Sequence, residues 1–242
     1  MSLLSQLFGP RPAFRYLSDG GELKLTAQQY GAHCIDWGTS LASVQVGGAL
    51  AVMSRYRDQE DLIVKIQQSP APAHFHARAL FVAAYLTYPV LELRVPQHTF
   101  KNIMQGATEI FNDGRILQNV EDQRPTADYI AAMREEISEY SSLIFGGIHQ
   151  SDGDALRAAL SHANAGLLEK LEDVYSKIAF KPREAIEKGD GSLGTLLHGF
   201  KNPAFERTRE VDAKTLITNT LTGYIFQHLE KWRKNKILTT FG

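Results

Sequence analysis

The sequence predicts a mainly α-helical single domain of about six or seven helices, with a small β element in the N-terminal 100 residues. Three observations carry this. Apolar residues recur at steps of three and four over most of the chain, the spacing that puts side chains on one helical face. Start and stop residues bracket these stripes, with Thr, Ser or Asp ahead and Gly or Pro behind. Strand-like alternation is confined to short runs in the first hundred residues. The alternative is an α+β fold, in which residues 62–66 and 90–95 pair into a sheet. A length of 242 residues buries a core without a disulfide or metal staple. Residues 1–25 form an irregular or hairpin-like segment and 26–242 a helical domain, with a sub-boundary near 115–126.

Phe14, Tyr16, Leu23 and Leu25 alternate around Ser18-Asp19-Gly20-Gly21, a turn sequence. Thr26 and Gln29 fit a capping box. Behind it run Tyr30, Cys34, Trp37, Leu41, Val44, Gly48 and Val52 on one face, up to about residues 57–58. Gly47 and Gly48 cost that helix about 1 kcal/mol each relative to alanine. They mark a break or a close helix crossing.

Ser69, Pro70 and Pro72 open an alanine-rich helix over 73–87, which Pro89 is expected to stop. Leu91, Leu93 and Val95 then alternate with Glu92 and Arg94 like a strand. Thr99 is expected to cap the next helix, which carries Phe100, Ile103, Ala107 and Ile110 and ends at Gly114. After Pro125-Thr126 comes the stripe Ile130, Met133, Ile137, Tyr140, Ile144, ended by Gly146-Gly147. Ser151-Asp152-Gly153-Asp154 is a start signal for a helix with the face Leu156, Leu160, Ala163, Leu167, Leu171, Val174, Ile178. Pro182 begins a short helix that Gly189 ends. Asp212 caps the last helix, through Ile217, Leu221, Ile225, Leu229 and Trp232.

Charge is balanced, 26 Lys+Arg against 27 Asp+Glu, which argues against a general nucleic-acid binder. The apolar stretches 37–53 and 77–95 hold too many polar groups for membrane spans, and the N-terminus lacks a secretory pattern. A soluble, cytoplasmic protein is therefore expected. Cys34, the single cysteine, lies on an apolar stripe and is expected to be an inert core thiol, despite His33 and Asp36 nearby.

Four further groups can carry chemistry. His74 and His76 could ligate a metal if they shared a strand face, but on a helix they point about 200° apart. Lys188 with Gly189, Gly191 and Gly194 matches a Gly-rich anion loop without the preceding strand that mechanism needs. Glu135, Glu136 and Glu139 put carboxylates on one helix, usually a solvated face. Lys231, Arg233, Lys234 and Lys236 form a basic patch around Trp232, or simply oppose the helix dipole. No cofactor is indicated. The leading expectation is a non-catalytic interaction or regulatory module whose partner is another protein or itself, as a homodimer. The rivals are a metal-assisted hydrolase using His74 and His76, and a nucleic-acid or membrane-surface binder using the basic last helix.

Overall fold

In a computed structural model of the protein, residues 11–53, 71–113, 126–148, 154–175, 179–180 and 211–241 are described. They form β1 (Phe14–Ser18), β2 (Gly21–Leu25), α1 (Ala27–Met53), α2 (Ala71–Leu91), α3 (Gln97–Asp113), α4 (Thr126–Ile148) and α5 (Ala155–Tyr175). The pair β3 (Ala179–Phe180) and β4 (Val211–Asp212) follows, then α6 (Ala213–Asn235) and β5 (Leu238–Thr240). The fold is mainly α with a small antiparallel sheet, as the sequence predicts.

The expected turn closes β1 and β2 in the register Phe14↔Leu25 to Ser18↔Gly21. Gly21 adopts φ +119°, a conformation other residues rarely take. The Ser18 hydroxyl donates to its carbonyl at 3.0 Å. The capping box is formed: Thr26 N–H donates to Gln29 Oε1 at 2.9 Å, and Gln29 N–H to Thr26 Oγ1 at 3.1 Å. Helix α1 then runs through Gly47 and Gly48 without a break.

Helix α2 is the centre. It packs against α1, α4 and α5, and nearly every residue from Ala73 to Tyr88 is buried. A helix apolar on all sides belongs inside a bundle or a membrane. Among the described residues, no helix is long and apolar enough to cross a membrane. Helix α3 lies on α1, while α6 bridges α5 and α1.

Three expectations about α2 and α3 need correction. Pro89 does not stop α2, which continues to Leu91. A helical proline orphans the carbonyl four residues earlier. Here that carbonyl belongs to Tyr85, and the Tyr30 hydroxyl of α1 donates to it at 2.7 Å. Residues 90–95 are not a strand: Arg94 turns left-handed (φ +51°) and Val95 N–H reaches back to the Pro89 carbonyl at 3.2 Å. The alternation of Leu91, Leu93 and Val95 is thus absorbed by a helix end. Thr99 is not a cap either. The Pro96 carbonyl accepts from Thr99 and Phe100, so α3 begins at Gln97. Segment 62–66 and the short helix at 182–189 lie outside the described residues.

The sheet has the order β2-β1-β5, and its third strand comes from the far end of the sequence. Pairs run from Phe14↔Thr240 to Tyr16↔Leu238. A left-handed Lys236 (φ +49°) makes this connection. Ile237 N–H bonds the Trp232 carbonyl at 3.0 Å and Lys236 N–H the Arg233 carbonyl at 3.4 Å, a Schellman cap that turns α6 into β5.

Candidate functional site

Polar groups gather inside the bundle at the N-terminal half of α2. His76 Nδ1 lies 2.8 Å from Glu136 Oε1 on α4. An ionised carboxylate only accepts, so Nδ1 carries the proton. Lys170 of α5 donates to Glu136 Oε2 at 3.1 Å and to Glu139 Oε2 at 2.7 Å. Glu136 is 8% exposed. Burial opposes its charge, but the contacts to His76 and Lys170 outweigh burial and lower its pKa. Burial likewise opposes the Lys170 charge, and Glu139 with Glu136 outweigh it and raise that pKa. These groups tie three helices through charge-assisted hydrogen bonds.

Two residues further along α2, Arg78 is 5% exposed. Its Nη1 donates to the Tyr129 hydroxyl of α4 at 3.2 Å and its Nη2 to Ser43 Oγ of α1 at 3.3 Å. Ser43 in turn donates to the Thr39 carbonyl at 3.0 Å. Nε of Arg78 is buried without a hydrogen-bond partner. The ring of Tyr129 also meets that of Phe75, one turn before Arg78 on α2, edge to face at 5.5 Å.

At the other end of α2, aromatic rings converge from β1, α1, α2 and α6. Trp232 meets Tyr16, Trp37, Tyr85 and Tyr88 at centroid distances of 5.1–5.5 Å. The Tyr85 hydroxyl and His228 Nδ1 are 2.6 Å apart. Burial, with Lys231 nearby, lowers the His228 pKa, and burial raises that of Tyr85, so both groups stay neutral. Cys34 is fully buried, and burial pushes its thiol pKa well up, against the lowering effect of a Tyr30 hydrogen bond. That is the opposite of an activated thiol. Its neighbour His33 stacks on Trp37 at 5.2 Å.

The sequence-derived site residues fall as follows. His74 and His76 both sit on α2, and His76 is engaged by Glu136. Among the described residues, no three His, Cys, Asp or Glu side chains are placed to hold a metal ion. Lys188, Gly189, Gly191 and Gly194 lie outside the described residues. In the basic patch, Arg233 faces carboxylates. Its Nη1 and Nη2 bond Asp154 at 3.0 Å each, Glu92 lies 3.7 Å away, and Glu230 is in direct contact. Lys234 pairs with Glu230 at 3.1 Å. Lys231 and Lys236 are exposed, and Lys236 makes the turn into β5. Arg233 therefore works as a clasp between α6, the end of α2 and the start of α5. Asp154 does double duty, accepting from Arg157 N–H at 3.2 Å as the expected N-cap.

The pairing at Arg78 is hidden from sequence periodicity because its partners come from two other helices. Its one sequence signal is an arginine inside an otherwise apolar, alanine-rich run.

Acid should loosen this network. The Arg233 hydrogen bonds hold the Asp154 carboxyl below its usual pKa, and Glu136 is lowered too. A carboxylate with a depressed folded-state pKa stabilises the fold above its ordinary value of about 4. That stability fades as pH falls through the folded value. The melting temperature is expected to drop steeply below about pH 4, and the double variant Glu136→Gln, Asp154→Asn to show a shallower drop. Equal slopes for both proteins would refute this assignment.

No protein-family model matches the chain, and no curated protein or solved structure matches it.

Proposed function

We propose that the protein is a soluble, cytoplasmic interaction module without catalytic activity, which pairs with a second copy of itself through the C-terminal half of α1. The observation that carries this is Val44, a large apolar side chain left 66% exposed on that helix. Ser40, Gly47 and Gly48 flank it on the same exposed face at helical spacing, and none is charged. Earlier in α1, Gly31 and Gly38 are used for close contact with α3 and α2. At Gly47 and Gly48 a Cβ would meet nothing among the described residues, so the same kind of surface stands open. A second copy of the strip is self-complementary in a two-fold pair. The interior ionic groups support a structural rather than catalytic reading, because His76, Glu136 and Lys170 satisfy one another across helices.

Sedimentation equilibrium across micromolar concentrations tests this. The wild type is expected at twice the chain mass. Val44→Glu, a change at an exposed position, should keep its helical circular dichroism and shift to one chain mass. A wild type that stays at one chain mass throughout removes the dimer. An unchanged dimer in Val44→Glu places the contact elsewhere.

A further inference from the structure

We propose that Arg78 anchors a small-molecule carboxylate group bound inside the bundle where α1, α2 and α4 meet. A guanidinium keeps its charge at every accessible pH and brings five N–H donors. Arg78 spends two of them on neutral hydroxyls, those of Tyr129 and Ser43. Its Nε–H is buried with no acceptor. No Asp or Glu among the described residues forms an ion pair with it. Glu136, the buried carboxylate on the adjacent helix, is already taken by His76 and Lys170.

Buried charges in proteins are paired or hydrogen-bonded because an isolated one is very costly to desolvate. Among the described residues, two other partly buried cations meet carboxylates. Lys170 has two carboxylates, and Arg233 has three. Arg78 is more buried than either and has none. Missing among the described residues around it is an acceptor carrying one negative charge. A carboxylate matches on both counts: it is a monoanion, and its two oxygens fit the planar guanidinium edge. A phosphate dianion would leave a net negative charge buried beside a single arginine. The fixed hydroxyls of Ser43 and Tyr129 hold the guanidinium in place from the other helices, so the donor edge is preorganised.

Thermal unfolding at constant ionic strength is the test, with sodium acetate exchanged for sodium chloride. The wild type is expected to gain a few degrees of melting temperature, saturating with acetate, because a ligand that binds only the folded state raises its stability. Arg78→Met should lose the gain. Phosphate should give less than acetate. Should Arg78→Met fail to fold, the Arg78 Nε–H resonance of the labelled wild type is followed by NMR. It should shift and saturate over the same acetate range. Identical melting in acetate and chloride with an unmoved Nε–H signal overturns the proposal. So does an equal gain in Arg78→Met. A stronger response to phosphate overturns the carboxylate assignment.

Discussion

Alanine at Gly106 is expected to cost the fold on the order of 3 kcal/mol, roughly 10 °C in melting temperature. A Cβ there would lie 1.9 Å from the Gln28 carbonyl oxygen of α1 and 2.6 Å from its carbon. The reciprocal contact is as tight, since a Cβ on Gly31 would meet the Ile103 carbonyl oxygen of α3 at 1.9 Å. Both obstacles are backbone and cannot rotate away. The helices would have to separate along the whole contact, opening the buried faces of Ile103 and Ala107. Overpacking of this kind usually costs about 1–3 kcal/mol, and the rigid obstacle puts this case at the top. Gly47→Ala, made in the Val44→Glu background so that the proposed pairing does not intervene, is the control. It is expected to gain about 0.5–1 kcal/mol, because alanine favours the helix and meets open space. Urea unfolding followed at the helical circular dichroism band checks both. A Gly106→Ala midpoint equal to wild type, with an equal slope, would sink the reading of this crossing.

Trp232→Ala is expected to cost about 3–5 kcal/mol, the range for emptying a large aromatic site. Trp232 is 1% exposed and is the largest fully buried side chain of the described residues. It touches rings from β1 (Tyr16), α1 (Trp37) and α2 (Tyr85 and Tyr88), with His228 at 5.6 Å on its own helix. These neighbours belong to separate elements held by other contacts, so they cannot collapse fully into the space. The Trp232 carbonyl also closes the Schellman cap, but that bond is backbone and survives the change. The expected signature is therefore a large stability loss with near-native helical content and a weakened near-ultraviolet dichroism from Trp37. Guanidinium unfolding measures it. A loss below about 1 kcal/mol would show that the cluster repacks freely.

Helices α4, α5 and α6 are legible in the sequence because each has one polar face, which turns burial into periodicity. In α1 the expected stripe holds for Tyr30 and Cys34, whereas Val44 and Gly48 lie exposed. The hairpin and the capping box at Thr26 were visible because both are local: their hydrogen bonds span three residues. Three features were not visible, each for a tertiary reason. Pro89 is tolerated because Tyr30, 55 residues from the carbonyl it relieves, supplies the missing donor. Residues 90–95 alternate like a strand, but among the described residues no strand pairs with them and α2 ends in a backward hydrogen bond instead. Strand β5 has three residues, too few for a periodic signal, and is defined only by its partner β1. The polar layer was partly visible. Glu135, Glu136 and Glu139 read in the sequence as a charged face, yet Glu136 points inward, because α5 supplies Lys170 and α2 supplies His76. The charge of Arg233 is evident in the sequence, and its neutralising carboxylates come from just past α2, just before α5 and its own helix.

The pairing of β1 with β5 also bears on the order of events during folding. Phe14 and Thr240 close a loop through nearly the whole chain, as do the contacts of α6 with α1. Closure of so long a loop is entropically unfavourable until the bundle has already drawn the two segments together. The three-residue pairing of β5 is then expected to form late, with a φ-value near zero for Leu238→Ala. Changes in β5 act mainly on how fast the native state opens, and only weakly on how fast it forms. Loosening β5 is thus expected to speed unfolding more than it slows refolding, read from the two arms of a denaturant rate plot.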